Sequence, residues 1–176
     1  MYEYTIKNAR KAKGIRITIY QDCRVTVTKP RWVTKKYAEE FVQERHEWIL
    51  RQIKTNKDNP NNILGKYGKK EFVEKKEEAR ELVHKKLEEI NKYYGFEYGA
   101  VSIRNQRTRW GSCSSKRNLS FNFKIVYLPV DLQDYLIAHE LCHLKHMNHG
   151  KDFWNCVAIA IPDHLNKAKR LKNGDI

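Results

Sequence analysis

Apolar and polar side chains alternate over two short stretches near the start of the chain. Ile15, Ile17 and Ile19 are separated by Arg16 and Thr18, and Val25 and Val27 by Thr26. A period of two is that of a half-buried strand, and with Gln21-Asp22-Cys23-Arg24 between them the stretches predict a hairpin that Lys29-Pro30 closes. The opening residues 1–6 read as a further strand. Thr34 then stands as N-cap before a helical pattern whose apolar face is Ala38, Phe41, Val42, Trp48, Ile49 and Ile53. The polar run at 56–62 ends that helix and is the best linker in the chain.

A second helical pattern runs over about 70–94, with Ala79, Val83, Leu87, Ile90 and Tyr94 on one face and Gly95 as its stop. Its Glu and Lys clusters suit a solvated face with i,i+4 pairs. Strand-like segments follow at 100–104 and 119–123. Pro129 and Asp131 introduce a helix packed through Leu132, Leu136 and Leu141. Phe153, Trp154, Val157 and Ile161 mark another that ends at Pro162, and a last basic helix carries Lys167, Lys169, Arg170 and Lys172. This order predicts an α+β fold: a helix packed on a short, mostly antiparallel sheet, preceded by a β-hairpin and helix. Residues 1–57 and 63–176 are the candidate domains, unless the two form one continuous domain.

The helix introduced by Pro129 carries the chemistry. It contains His139-Glu140-Leu141-Cys142-His143, an HExxH pattern, with His149 six residues beyond. Positions i and i+4 share a helix face, so both imidazoles can reach one metal ion. Glu140 projects to the side, where it can take a proton from a water. A catalytic zinc uses three protein ligands and leaves one position open. His146 would stand roughly 10 Å from His139 along an unbroken helix, too far to share an ion bound at about 2 Å. His149 lies between Asn148 and Gly150, types that take the left-handed conformation ending a helix, so a turn there can bring it back over the metal. No Glu follows Glu140. Asp152 and Asp163 stay open beside His149 as third ligand. His46, His84 and His164 have no partner at ligand spacing and read as ordinary helix or loop histidines.

Composition narrows the class. The 176 residues are 40% hydrophobic, enough for one ordinary domain with a core and a small appendage. No apolar run approaches a membrane span or a signal peptide. Cys23, Cys113, Cys142 and Cys156 form no CxxC pair, and reduced, mostly buried thiols in a cytoplasmic protein are the expectation. The formal net charge is +14. The surplus is uneven: residues 1–57 hold 14 Lys/Arg against 6 Asp/Glu, and residues 93–130 hold 6 against 1. Two readings stand open: the footprint of DNA or another polyanion, and a merely soluble basic protein.

These residues resemble the YgjP-like family of metallopeptidases, related to the SprT-like and WLM zinc proteases. The likeness extends beyond the HExxH pattern. Arg107-Thr108-Arg109-Trp110-Gly111-Ser112-Cys113 resembles the family's RWGSCS block, and Asn118-Leu119-Ser120-Phe121-Asn122 the strand after it. Leu128-Pro129 resembles its helix lead-in, and Asn148-His149-Gly150-Lys151-Asp152-Phe153-Trp154 its NHxxxFW segment. The resemblance implies a zincin-like domain holding one Zn²⁺ per chain. It makes His139, His143 and His149 the ligands, Glu140 the general base, and a protein or peptide the substrate. A metzincin would carry Gly in place of His146 and a Met-turn downstream, whereas the only methionines are Met1 and Met147.

Arg107 and Arg109 are candidates for holding a carbonyl, a carboxylate or a nucleic-acid phosphate. Trp110 reads as core, and Gly111-Ser112 as the turn before the next strand. The strand at 119–123 is a candidate to pair with extended substrate. One function that follows is zinc-dependent peptide hydrolysis, extending to nucleic-acid-associated proteins. The alternative is a zinc-containing nucleic-acid-binding module with little or no catalytic activity.

Overall fold

The computed structural model describes residues 2–20, 22–59 and 62–174. The chain divides into two compact units, Met1–Gly65 and Lys66–Ile176.

In the first unit, β1 (Tyr4–Asn8), β2 (Arg16–Ile19) and β3 (Val25–Lys29) form a sheet in the order β1-β3-β2. The expected hairpin is β2 and β3, antiparallel with Ile17 opposite Val27 and Ile19 opposite Val25. Its turn places Cys23 at φ 62; Gln21 lies outside the described residues. The first strand begins later than position 1 and lies parallel to β3, with Ile6 level with Val27. One face of the sheet thus gathers Ile6, Ile17, Ile19, Val25 and Val27, which pack with Ala38, Val42, Ile49 and Ile53.

The helical stretch of this unit is two helices, α1 (Lys35–Glu44) and α2 (His46–Asp58). Thr34 caps α1 as expected, its Oγ1 accepting from the Tyr37 amide at 3.1 Å. The break falls at Arg45, whose φ of −107° and ψ of 13° are not helical. Its guanidinium covers the Phe41 ring at 3.6 Å. Trp48 therefore does not join the core. Ile49 and Ile53 face inward at i,i+4, and Trp48, about 100° round the helix from Ile49, is 42% exposed. A short turn, α3 (Ile63–Lys66), follows.

The second unit opens with α4 (Lys69–Asn91), which buries Ala79, Val83, Leu87 and Ile90 and stops before Gly95 at φ 61. Tyr94 lies just past the helix end. Next come β4 (Val101–Arg104), β5 (Gly111–Cys113) and β6 (Leu119–Asn122), in the order β4-β6-β5. This sheet is mixed: β4 runs parallel to β6, and β5 antiparallel. Gly111 and Ser112, read from the sequence as a turn, belong to strand β5. The turn lies at 114–117, where Arg117 takes φ 62. A 3-10 helix (Phe123–Tyr127) leads into α5 (Val130–Cys142), then α6 (Lys151–Ala160) and α7 (His164–Asn173).

Helix α5 is buried nearly all round, through Leu132, Gln133, Tyr135, Leu136, Ile137, Ala138, Leu141 and Cys142. Such a helix belongs in the middle of a domain, and α5 packs against α4, α6, α7 and β5. Each fully buried Leu or Ile contributes roughly 1.5–3 kcal/mol. Gln133 locks its start, its Nε2 donating to the carbonyls of Leu128 at 2.8 Å and Ile125 at 3.2 Å. At its first turn Asp131 accepts from Arg170 of α7 at 2.6 Å. All four cysteines are free thiols. No described helix is long and apolar enough to cross a membrane.

Candidate metal and catalytic site

His139 and His143 sit one turn apart at the end of α5, and His149 precedes the N-cap of α6. The helix ends at Cys142 with His143 as its C-cap, and the amides of Leu144, Lys145 and His146 bond back to Leu141 and Cys142. The return of His149 uses no left-handed residue. Gly150 is extended at φ −78° and ψ −176°, and the chain turns in tight bends straight out of α5. The early stop also replaces the distance argument against His146. Its backbone carbonyl accepts from His143 Nδ1 at 3.0 Å, and its side chain lines a separate hollow with Tyr93, Tyr94 and Asp152.

The three Nε2 atoms converge. That of His139 lies 3.2 Å from His143 Nε2 and 3.1 Å from His149 Nε2. Nitrogens about 2.0–2.1 Å from a tetrahedral zinc stand about 3.3 Å apart, so the spacing fits one ion. Among the described residues this is the group able to hold a metal, and no fourth His, Cys, Asp or Glu joins it. Asp152 lines the separate hollow, and Asp163 pairs with Lys167.

Hydrogen bonds on the far side of the rings bear on the tautomers. His143 Nδ1 donates to the His146 carbonyl, which leaves Nε2 with a lone pair. His139 Nδ1 lies 3.3 Å from the Tyr135 hydroxyl, a contact in which either atom can donate. Burial, and then the neighbouring His143 and His149, push His139 down to about 3. Burial also lowers His143. These rings are neutral near pH 7, the form that binds metal.

Phe153, fully buried, lies beneath all three rings, with centroids 4.9 Å from His139, 4.5 Å from His143 and 4.7 Å from His149. Trp154 is sandwiched between His149 at 5.7 Å and His164 at 5.6 Å, nearly parallel to both. An exposed histidine on a loop is thereby held against a stack. His164, an ordinary histidine on sequence grounds, forms the back of that stack.

Glu140 is only 4% exposed, and its Oε2 has no hydrogen-bond partner among the described residues. Burial raises its carboxyl to about 8, against an opposing pull from the Arg109 charge. A buried carboxylate oxygen without a partner is costly in a finished core. On the residue that follows His139, it is a polar atom that the packing leaves unsatisfied.

The sequence matches the model of the YgjP-like, metallopeptidase domain family over residues 13–74 and 71–174. The chain belongs to the YgjP-like family. It is also similar to the crystal structure of the metallopeptidase zymogen of Pyrococcus abyssi abylysin, at 23% identity over 52% of this chain and 92% of that one, with a TM-score of 0.47. No curated protein matches it significantly.

The RWGSCS-like block of this YgjP-like chain lies against Glu140. A Cβ on Gly111 would stand 2.5 Å from Glu140 Oε1 and 2.7 Å from its Cγ. Gly111 thus makes room for the carboxylate, a role that reading it as a turn residue misses. Buried Asn122 holds the loop before β5, its Nδ2 donating to the carbonyls of Gln106 at 2.7 Å and Arg109 at 2.9 Å. Trp110 is buried, as expected, while Arg107 and Arg109 are exposed. The Arg109 charge acts on Glu140, so Arg109 belongs to the site's electrostatics. Phe153, Trp154, Tyr135, Asn122 and Gly111 are not metal-ligand types that spacing singles out. The NHxxxFW and RWGSCS resemblances point toward Phe153, Trp154 and Gly111, the strand segment after the block toward Asn122, and nothing toward Tyr135.

The strand expected to pair with substrate is ruled out for that role. β6 is the central strand, with β4 and β5 on its two sides, so its hydrogen-bonding edges are taken. The edge beside Glu140 is β5.

Proposed function

We propose that this chain is a zinc-dependent metallopeptidase that hydrolyses peptide bonds in protein substrates, with His139, His143 and His149 holding one Zn²⁺ and Glu140 as general base. The observation that carries it is three Nε2 atoms spaced for one tetrahedral ion, with the buried, partnerless carboxyl of Glu140 on the residue that follows His139. Zinc at such a site supplies Lewis acidity, bringing the pKa of water toward about 7 and polarising a carbonyl.

The chain's own residues do the rest. Glu140 Oε2 accepts a proton from the attacking water and hands it to the departing amine nitrogen, so one carboxyl serves both steps. Its apolar surroundings hold its pKa near the operating pH, which suits a group that must both take and give a proton. Strand β5 offers its unpaired edge to an extended peptide, whose backbone hydrogen bonds would lay a scissile carbonyl beside Glu140. Such recognition reads backbone more than side chains, which suits unfolded segments as substrate. Arg109 adds positive charge beside the carboxyl.

The alternative, a binding module with a structural zinc, needs a fourth ligand to close the site. The described residues offer three. A test is cleavage of unfolded casein by zinc-loaded protein, with metal content measured alongside. One zinc per chain, with cleavage abolished by Glu140→Gln at unchanged zinc content, is the expected result. Equal cleavage by Glu140→Gln would refute the assignment of the base.

A further inference from the structure

The first unit has a feature that the metal site does not use. Residues 4–38 contain ten Lys/Arg and one acid, Asp22. Asp22 sits in the turn between β2 and β3, with Arg24 3.9 Å away. The cations gather at the opposite end of the sheet. β1 and β3 run parallel and leave the sheet together, the Ala9 amide donating to the Lys29 carbonyl at 2.9 Å. The loop after β1 carries Arg10, Lys11 and Lys13, and the turn after β3 carries Arg31 and Trp32.

The strand register decides which face is charged. Ile6, Ile17 and Val27 point to the core shared with α1 and α2, so Lys7, Thr28 and Arg16, level with one another across the three strands, point to the opposite face. Beside that row is an open hollow of about 680 Å³ lined by Lys11, Lys13, Arg16, Thr18 and Thr28 among others. Its lining offers both hydroxyls and cations. Lys7, Arg10, Lys11, Lys13 and Arg16 are all exposed, and five like charges so close together repel unless an anion lies among them. Trp32 at the same end is 71% exposed, the second most exposed large hydrophobic side chain among the described residues. A solvent-exposed aromatic and a basic hollow at the same end of one sheet are the combination that binds unpaired bases and their backbone.

We propose that the face of this sheet opposite α1 and α2 is a docking surface for single-stranded nucleic acid. Lys7, Arg10, Lys11, Lys13 and Arg16 neutralise backbone phosphates, Thr18 and Thr28 donate to phosphate oxygens, and a base stacks on Trp32. This surface owes nothing to the metal site, so the two proposals stand or fall separately.

The test is fluorescence anisotropy of a labelled single-stranded oligothymidylate of about 20 nucleotides, titrated with the full chain. Five phosphate contacts give a slope of log K against log salt of roughly −3.5. Trp32→Ala is expected to weaken binding about five-fold or more, the loss of one stacked base. Reversing three charges in the hollow (Lys11→Glu, Lys13→Glu, Arg16→Glu) is expected to bring the slope to roughly −1.4. The same reversal at exposed Arg51, Lys54 and Lys57 of α2 is the control for net charge, and thermal midpoints check that each variant folds. Four results would overturn the proposal: the hollow reversal leaves affinity within two-fold of wild type, the α2 reversal weakens binding equally, Trp32→Ala is silent, or a duplex of equal length binds as tightly as the single strand. Binding to phosphatidylserine vesicles, lost on the hollow reversal while the oligonucleotide does not bind at all, would reassign the surface to membranes.

Discussion

Replacing Gly111 by Ala isolates the placement of Glu140 from everything else in the site. The backbone of Gly111 is not in the left-handed region, so a methyl group is tolerated there conformationally and acts only through space. It would stand 2.5 Å from Glu140 Oε1, 2.7 Å from Cγ and 2.8 Å from Cδ, against an ordinary contact of 3.4 Å or more. The carboxylate must therefore retreat by about 0.9 Å. It has little room to do so, since Glu140 is 4% exposed on the most buried helix of the unit. A misplacement of about 1 Å in a catalytic group costs on the order of 10²-fold in rate. Overpacking costs about 1–3 kcal/mol, within the roughly 5–15 kcal/mol by which domains are stable.

Gly111→Ala is thus expected to fold, to hold its metal, and to lose about 10²-fold in kcat/KM on an unfolded protein substrate. The midpoint of thermal unfolding should fall by about 2–4 °C per kcal/mol lost. Glu140→Ala removes Cγ, Cδ and the carboxylate together, so in the double variant the clash is relieved. Part of the stability should return without activity, a non-additivity that a double-mutant cycle reads directly. Full activity in Gly111→Ala would refute the reasoning. So would a fall in metal content that matches the fall in activity, because the methyl group would then be disturbing the imidazoles.

Other changes separate the supports of the site. Tyr135→Phe removes the hydroxyl beside His139 Nδ1, and an outer-shell loss of that kind weakens metal affinity about 10- to 100-fold; competition with a chromophoric chelator measures it. Trp154→Ala frees one face of His149, and the same assay should show weaker binding and faster metal release with the fold intact by circular dichroism. Asn122→Ala leaves the Gln106 and Arg109 carbonyls without their donor, at a cost of about 1–3 kcal/mol per unsatisfied group, read as a lower urea midpoint. Stripping zinc with a chelator should lower the thermal midpoint, since a ligand at 1,000 times its Kd stabilises the native state by about 4 kcal/mol. An unchanged midpoint would count against a bound ion.

The sequence disclosed what periodicity and pairwise spacing encode. The hairpin, the buried face of α4 and the i,i+4 pair on α5 each follow from repeats of two or 3.6, and the structure has all three. It hid what no repeat encodes. The helix over 35–58 breaks at Arg45, whose guanidinium lies over Phe41, and no period announces that. Strand order cannot be read locally either: the strand at 119–123 suits pairing with substrate only at an edge, and β6 is the centre. β5 is three residues long and begins with Gly111-Ser112, types that read as a turn until a neighbouring strand is present to pair with them. The route of His149 differs in the same way: Asn148 and Gly150 suit a left-handed turn, but α5 stops earlier.

Glu140 brings these threads to one point. A buried acid with no partner destabilises a fold, and this chain has surrounded it with further concessions: a glycine at 111 to clear its carboxylate, a strand held short, and a loop clamped by Asn122. None of these is needed to fix a structural ion, for which three imidazoles and a fourth ligand would suffice. The arrangement makes sense if the carboxylate must stand at one place with an empty acceptor. A proton-transferring group requires that condition, and a merely structural one does not.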